Sequence, residues 1–185
     1  MEISSFQSYL IILFIVLIII SVFVFRQFLR TRKEELNLVK FEQQGLDSLT
    51  KASELYEFGS IQIKKRLYKE ATNTFLKAVE NYKDEPDEAK AIIENALGFS
   101  YAAQNTFKKA IKHYNLAIKT LPSYTVALNN LASAQQRILE YDLAYATYKK
   151  VLVIDPKNQT AIKKSKELEK RKNYSPYKGI KDKGF

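Results

Sequence analysis

Proline stands at residue 122 and again at residue 156. Ala110 and Ala144, Tyr114 and Tyr148, Leu97 and Leu131, and Asn95 and Asn129 are separated by the same 34 positions. A chain that repeats itself at this interval is held to one kind of architecture. Each copy is too small to bury an apolar face alone, so the copies stack and share one continuous core. Within each copy the apolar residues recur at three- and four-residue spacing, which is the period of amphipathic helix. Proline cannot continue a helix, so Pro122 and Pro156 close the second helix of their copies.

Three copies can be aligned. Residues 91–124 carry Leu97, Gly98, Tyr101, Ala110, Tyr114, Ala117 and Pro122, and residues 125–158 carry Leu128, Leu131, Ala132, Ala144, Tyr148 and Pro156. Residues 52–85 supply Leu55, Phe58, Gly59, Ala71, Phe75 and Ala78, with Lys83 in place of the closing proline. DEPDE (84–88) lengthens the loop that follows. The set resembles the tetratricopeptide repeat, a helix hairpin in which small residues let two backbones approach and large ones fill the space beside them. QTAIKKSKELEKRK (159–172) reads as a helix capping the last apolar face through Ala161, Ile162 and Leu168. The tail, 173–185, is short, basic and broken by Gly and Pro, and is expected to be disordered.

A second feature stands upstream. YLIILFIVLIIISVFVF (9–25) has no charge, Pro or Gly. With its flanks it reaches the roughly 20 apolar residues that cross a bilayer core of about 30 Å. Only Glu2 precedes it as a charged side chain, and it ends in Phe and Arg without a small-residue cleavage site. These are the marks of an uncleaved anchor and not of a signal peptide. Arg26, Arg30, Arg32 and Lys33 all follow the span, which by the positive-inside rule places the C-terminal part on the cytoplasmic side, or the equivalent side of an organelle membrane. The expected order is a short N-terminal segment (1–8), a transmembrane anchor (9–29), a juxtamembrane helical linker (30–51), the repeats (52–158), the capping helix (159–172) and the tail. Leu36, Val39, Leu46 and Leu49 have helical spacing and Gly45 interrupts them. The linker is therefore either a continuation of the anchor helix or a segment packed under the first repeat. The chain is all-α: a transmembrane helix, then a three-repeat solenoid with a C-terminal cap.

Composition narrows the chemistry. With no cysteine there is no disulfide, thiolate nucleophile or Cys-ligated metal. His113 is the only histidine and reads as a surface or edge residue of a second helix. There is no Gly-rich phosphate loop, and the acidic loop lacks EF-hand spacing. The reading is not an enzyme, with no catalytic, metal or cofactor-binding residues, no cofactor and no small-molecule substrate. The net charge of +10 is compatible with RNA or anionic lipid at the Lys-rich end, with Tyr174 and Tyr177 available for stacking. It equally fits the composition of an AT-rich genome, in which Lys outnumbers Arg, and nucleic acid is not the expected partner. The expected partners are proteins. First-helix residues that do not pack the core would line a groove: Tyr56 and Ser60, Asn95 and Phe99, and Asn129, Ser133 and Gln136. Asn side chains can hold a peptide backbone or bond helix to helix. Some tetratricopeptide domains grip chaperone C-termini with Lys, Asn and Arg; here Asn95 and Asn129 lack the matching basic residues.

The full layout resembles the small plastid-encoded and cyanobacterial tetratricopeptide proteins that assist photosystem I assembly. LGFSYAAQNTFKKAIKHYNLAI and its flanks carry the likeness. The resemblance implies a single-pass protein of the thylakoid membrane, its repeats in the stroma, holding photosystem I subunits or assembly intermediates. The other reading is a membrane-anchored receptor or adaptor for protein import or chaperone recruitment.

Overall fold

The computed structural model describes residues 5–45, 48–83 and 86–173. Among them are eight α-helices and no strand. The expectation for the tail, beyond Asn173, lies outside the described residues. The chain divides into two units, Met1–Ser48 and Leu49–Phe185.

In the first unit a single helix, α1, runs from Ser5 to Gln44. Of the two alternatives for residues 30–51, the continuation holds as far as Gln44. At about 1.5 Å per residue, α1 is roughly 60 Å long. It is long and apolar enough to cross a membrane, by length and composition. Leu36 and Val39 remain exposed, and Leu46 is outside the described residues. Arg30 pairs with Glu34 one turn on at 3.6 Å. Gly45 ends the helix: its φ of +77° is left-handed, and its N–H donates to the Phe41 carbonyl at 3.1 Å.

The second unit is a row of hairpins. α2 (Ala52–Lys64) pairs with α3 (Tyr68–Glu80), α4 (Asp87–Ala103) with α5 (Phe107–Thr120), and α6 (Thr125–Arg137) with α7 (Tyr141–Ile154). α8 (Gln159–Asn173) packs on α7. The small residues of the repeat explain the spacing inside each pair. A Cβ added at Gly59 would meet the Phe75 ring at 2.6 Å, and one added at Gly98 would meet the Tyr114 ring at 2.7 Å. The aromatic of one helix thus lies in a notch that glycine opens in the other. Ala71, Ala110 and Ala144 are fully buried at equivalent positions.

Both closing prolines act through the residue before them. Leu121 and Asp155, each followed by proline, share φ −131° and ψ 88° and leave the helix, because the proline ring disfavours the α region for its neighbour. In the first repeat, where Lys83 stands in place of proline, the C-cap of α3, Asn81, keeps helical angles.

The turn between the helices of each hairpin repeats as well. Arg66, Asn105 and Leu139 have φ of 63°, 58° and 66°. The residue after each donates its N–H back to Gln62, Tyr101 and Gln135, every time at 2.9 Å. This is a Schellman closure, which normally uses glycine. Leu139 is 69% exposed, so its side chain contributes little packing. Leu139→Gly is expected to stabilise the repeats by about 1 kcal/mol through relief of left-handed strain. A rise in the urea midpoint at unchanged m checks this.

α2 approaches α4 and α4 approaches α6, while the paired second helices stand farther apart. The first helices therefore form the inner side of the curve and the second helices the outer side. α8 closes the row with Ala161, Ser165 and Leu168 buried. Asn158 caps it: Oδ1 accepts the Ala161 N–H at 3.1 Å.

Candidate functional site

The inner face is built from three first helices whose core-facing residues fix the outward ones. Leu55, Leu97 and Leu131 point into the core. Ser60, Phe99 and Ser133 share one repeat position on the other side. Phe99 is a large apolar side chain left 42% exposed, with small hydroxyl residues at its position in the flanking repeats. Ser60 is half-buried and Ser133 exposed.

Tyr56, Asn95 and Asn129 share a second position, one turn earlier. Here the structure draws side chains together across repeats. Asn95 donates to the Tyr124 hydroxyl at 3.5 Å, and its carbonyl accepts from Asn130 Nδ2 at 2.9 Å. Burial raises the Tyr124 pKa above its ordinary value, Tyr56 nearby adds to this, and the Asn95 bond opposes it. Tyr56, Asn95, Tyr124 and Asn130 are thus one polar cluster joining α2, α4 and α6. Tyr56 also tilts against the Phe75 ring at 6.0 Å.

Asn129 does something else. Its Nδ2 donates to Asn158 Oδ1 at 3.3 Å, steadying the residue that caps α8, and its own Oδ1 is buried. Gln136 is tied too, since its Oε1 accepts the Tyr148 hydroxyl at 3.0 Å. Of the groove residues expected from the sequence, Phe99 and Ser133 therefore keep the most free surface. Tyr124 and Asn158 were missed in the sequence because they end a repeat; the signal is that both lie 29 residues after the aligned asparagines.

The middle repeat departs from its neighbours inside the hairpin. In the first repeat Thr74 donates to Gln62 Oε1 at 2.8 Å, and in the third Thr147 donates to Gln135 Oε1 at 3.0 Å. The equivalent pair in the middle is Tyr101 and His113, whose rings stack at 5.3 Å and 18°. Leu55 and Leu128 are matched by Glu94, which is 4% exposed. Glu94 Oε2 lies 2.8 Å from His113 Nδ1. His113 is therefore mostly enclosed, not the surface residue its neighbours in sequence imply, and it is held by a buried carboxylate. Among the described residues no group of three or more His, Asp or Glu is placed to hold a metal.

No protein-family model matches the chain. A chloroplastic tetratricopeptide repeat domain-containing protein of Arabidopsis thaliana, PYG7, is 31% identical over 179 residues. The match covers 97% of this chain but 58% of the Arabidopsis protein. The uncharacterized protein ycf37 of Pyropia yezoensis is 30% identical over 171 residues, covering 89% of this chain and 95% of the relative. This chain belongs to the ycf37 family. The ycf37 protein of Cyanophora paradoxa matches at 29% identity, over 89% of this chain and 95% of its own length. Solved structures agree on the fold. The first tetratricopeptide domain of Spaghetti (RPAP3), bound to an HSP90 peptide, aligns with TM-score 0.61 and 24% identity over 66% of this chain and 96% of its own. The Arabidopsis OM64 domain aligns with TM-score 0.60 and 21% identity over 65% of this chain and 95% of its own. The ycf37-family chain is thus a tetratricopeptide-repeat protein of protein-binding type, and its Arabidopsis relative is chloroplastic.

Proposed function

We propose that this chain is a membrane-anchored scaffold whose inner face holds segments of protein clients, and that it assists photosystem I assembly or stability at the thylakoid membrane. The observation that carries the groove is Phe99, an exposed aromatic on the middle one of the three first helices. Aromatic anchors in a polar surround are the usual hot spots of protein interfaces. Ser60 and Ser133 leave room on either side, and Tyr56 and the Asn95 cluster supply a polar rim. α1 serves as the anchor, with Arg26, Arg30, Arg32 and Lys33 keeping the repeats on the stromal side. The photosystem I assignment rests on the likeness in length, anchor and repeat layout.

Charge bears on the client. With Glu94 buried against His113, the inner helices carry Glu54, Glu57, Asp87 and Glu88 against Lys64, Lys90 and Arg137. An acidic terminus such as the SRMEEVD peptide bound by the Spaghetti domain is ill-suited to such a face. A neutral or basic client segment is favoured. Tethering confines groove and client to one membrane, so several weak contacts suffice.

Phe99→Glu is expected to reduce crosslinking to photosystem I subunits in thylakoids about tenfold or more, and to leave thermal stability within about 0.5 kcal/mol. Undiminished crosslinking would remove the groove, and crosslinks to a translocase or a soluble chaperone instead would replace the assembly role with a receptor.

A further inference from the structure

The outer side carries a crevice that the inner groove does not account for. It opens between α5 and α7 and encloses about 400 Å³. Leu128 and Leu131 of α6 form its floor, and Ile118, Pro122, Val153 and Ile154 its walls. Val153 is 85% exposed and Ile154 43%, so the walls stand in solvent. Two large aliphatic residues side by side on an outer helix have no role in holding the hairpin, whose core uses Ala144, Tyr148 and Val151.

The equivalent place between α3 and α5 is different. There Glu94 and His113 occupy the positions of Leu128 and Thr147 and close on each other. The Thr147 hydroxyl is turned to Gln135 and to the Leu143 carbonyl. The third repeat therefore presents an apolar surface where the second presents a closed polar pair.

Charge says what fits. α5 holds Lys108, Lys109, Lys112 and Lys119 and no acidic residue. Lys112 and Lys119 lie one turn either side of Asn115, which lines the crevice, and Lys150 lines it from α7. The nearest carboxylate at its lower end, Asp155, is engaged by the Lys157 N–H and by Asn158 Nδ2. An apolar slot with a basic rim matches an amphipathic helix that has bulky apolar residues on one stripe and Asp or Glu beside it. The chain's own C-terminal stretch carries Lys178, Lys181 and Lys183 against Asp182, the wrong sign. A bilayer surface is flat and does not present side chains that fill a slot.

We propose that the α5–α7 crevice is a second docking site, for an acidic amphipathic helix of a partner protein, separate from the inner groove. The site leaves both faces of the solenoid able to hold protein at once.

The test uses the full-length chain in phosphatidylcholine nanodiscs. The probe is a fluorescent helical peptide with Leu at i, i+3, i+4 and i+7 and Glu on both flanks, alongside the same peptide with Lys for Glu. The acidic peptide should bind saturably, and the Lys peptide at least about tenfold more weakly. Lys150→Glu and Val153→Asp change exposed residues and should each weaken acidic-peptide binding about tenfold. Phe99→Glu should leave it unchanged. Equal binding of the two peptides, or indifference to both outer variants, overturns the proposal. Loss with Phe99→Glu moves the peptide to the inner groove and overturns it too. Val153-dependent dimerisation in the nanodiscs, or Val153-dependent binding of the soluble face to phosphatidylglycerol vesicles, would give the crevice to a second copy or to lipid. Tighter peptide binding on removing residues 174–185 would give it to the chain's own tail.

Discussion

Tyr114→Ala should be the most damaging single change in the repeats, costing about 3–5 kcal/mol. The ring is 2% exposed and fills the notch above Gly98. It packs with Ala110, Leu131 and Ala134. The second and third hairpins therefore meet around it. Its loss leaves a void that the two backbones cannot close, because Ala110 already brings them together. Solenoid stability is a sum of repeat and interface terms, and this one side chain serves both. Burial also raises the hydroxyl's pKa above the ordinary tyrosine range, so the ring enters as a neutral group. Tyr114→Phe retains the ring and should stay within about 1 kcal/mol of the parent. Urea unfolding followed by circular dichroism separates the two. A Tyr114→Ala cost below that of Tyr114→Phe would refute the notch as the point of failure.

The second large effect belongs to His113. Its removal by His113→Ala takes this partner from Glu94, whose side chain is 5% exposed, and should cost about 1–3 kcal/mol. The flanking repeats show the repair. Copying their residues, Glu94→Leu with His113→Thr and Tyr101→Gln, rebuilds the buried Gln–Thr bond in the middle hairpin. That triple variant should match or exceed the parent stability, since Leu128, Gln135 and Thr147 already pack and bond this way in the third repeat. The single and triple variants together form the check. If His113→Ala were as stable as the parent, the pair would have no structural role.

Much of this was legible in the chain. The period places Gly59, Gly98, Ala71, Ala110 and Ala144 beside Phe75, Tyr114 and Tyr148, because only small residues tolerate the approach and the aromatics must lie opposite. Pro122 and Pro156 announce where two helices stop. The left-handed turns were hidden at Arg66 and Leu139, which do not signal positive φ, whereas Asn105 is a residue that readily adopts it. The Glu94–His113 pair was hidden for another reason. A glutamate next to Asn95 reads as solvated, and only the hairpin brings a residue 19 positions away against it. The asparagines show the limit for the candidate site. Their shared position is visible in the sequence, but the bond each makes depends on what ends its repeat, tyrosine in one case and asparagine in the other.

α1 has a mechanical consequence. Between Ser5 and Gln44 the sequence holds neither glycine nor proline, and the backbone ladder is unbroken. In the proposed anchored state roughly 30 Å is taken up by a hydrocarbon core, and about half of the roughly 60 Å rod extends past it. A rod of this kind does not absorb torque, so any tilt or roll that the lipids impose on residues 9–25 reaches Gln44 undiminished. The ladder stops at Gly45, whose φ of +77° suits glycine and few other residues.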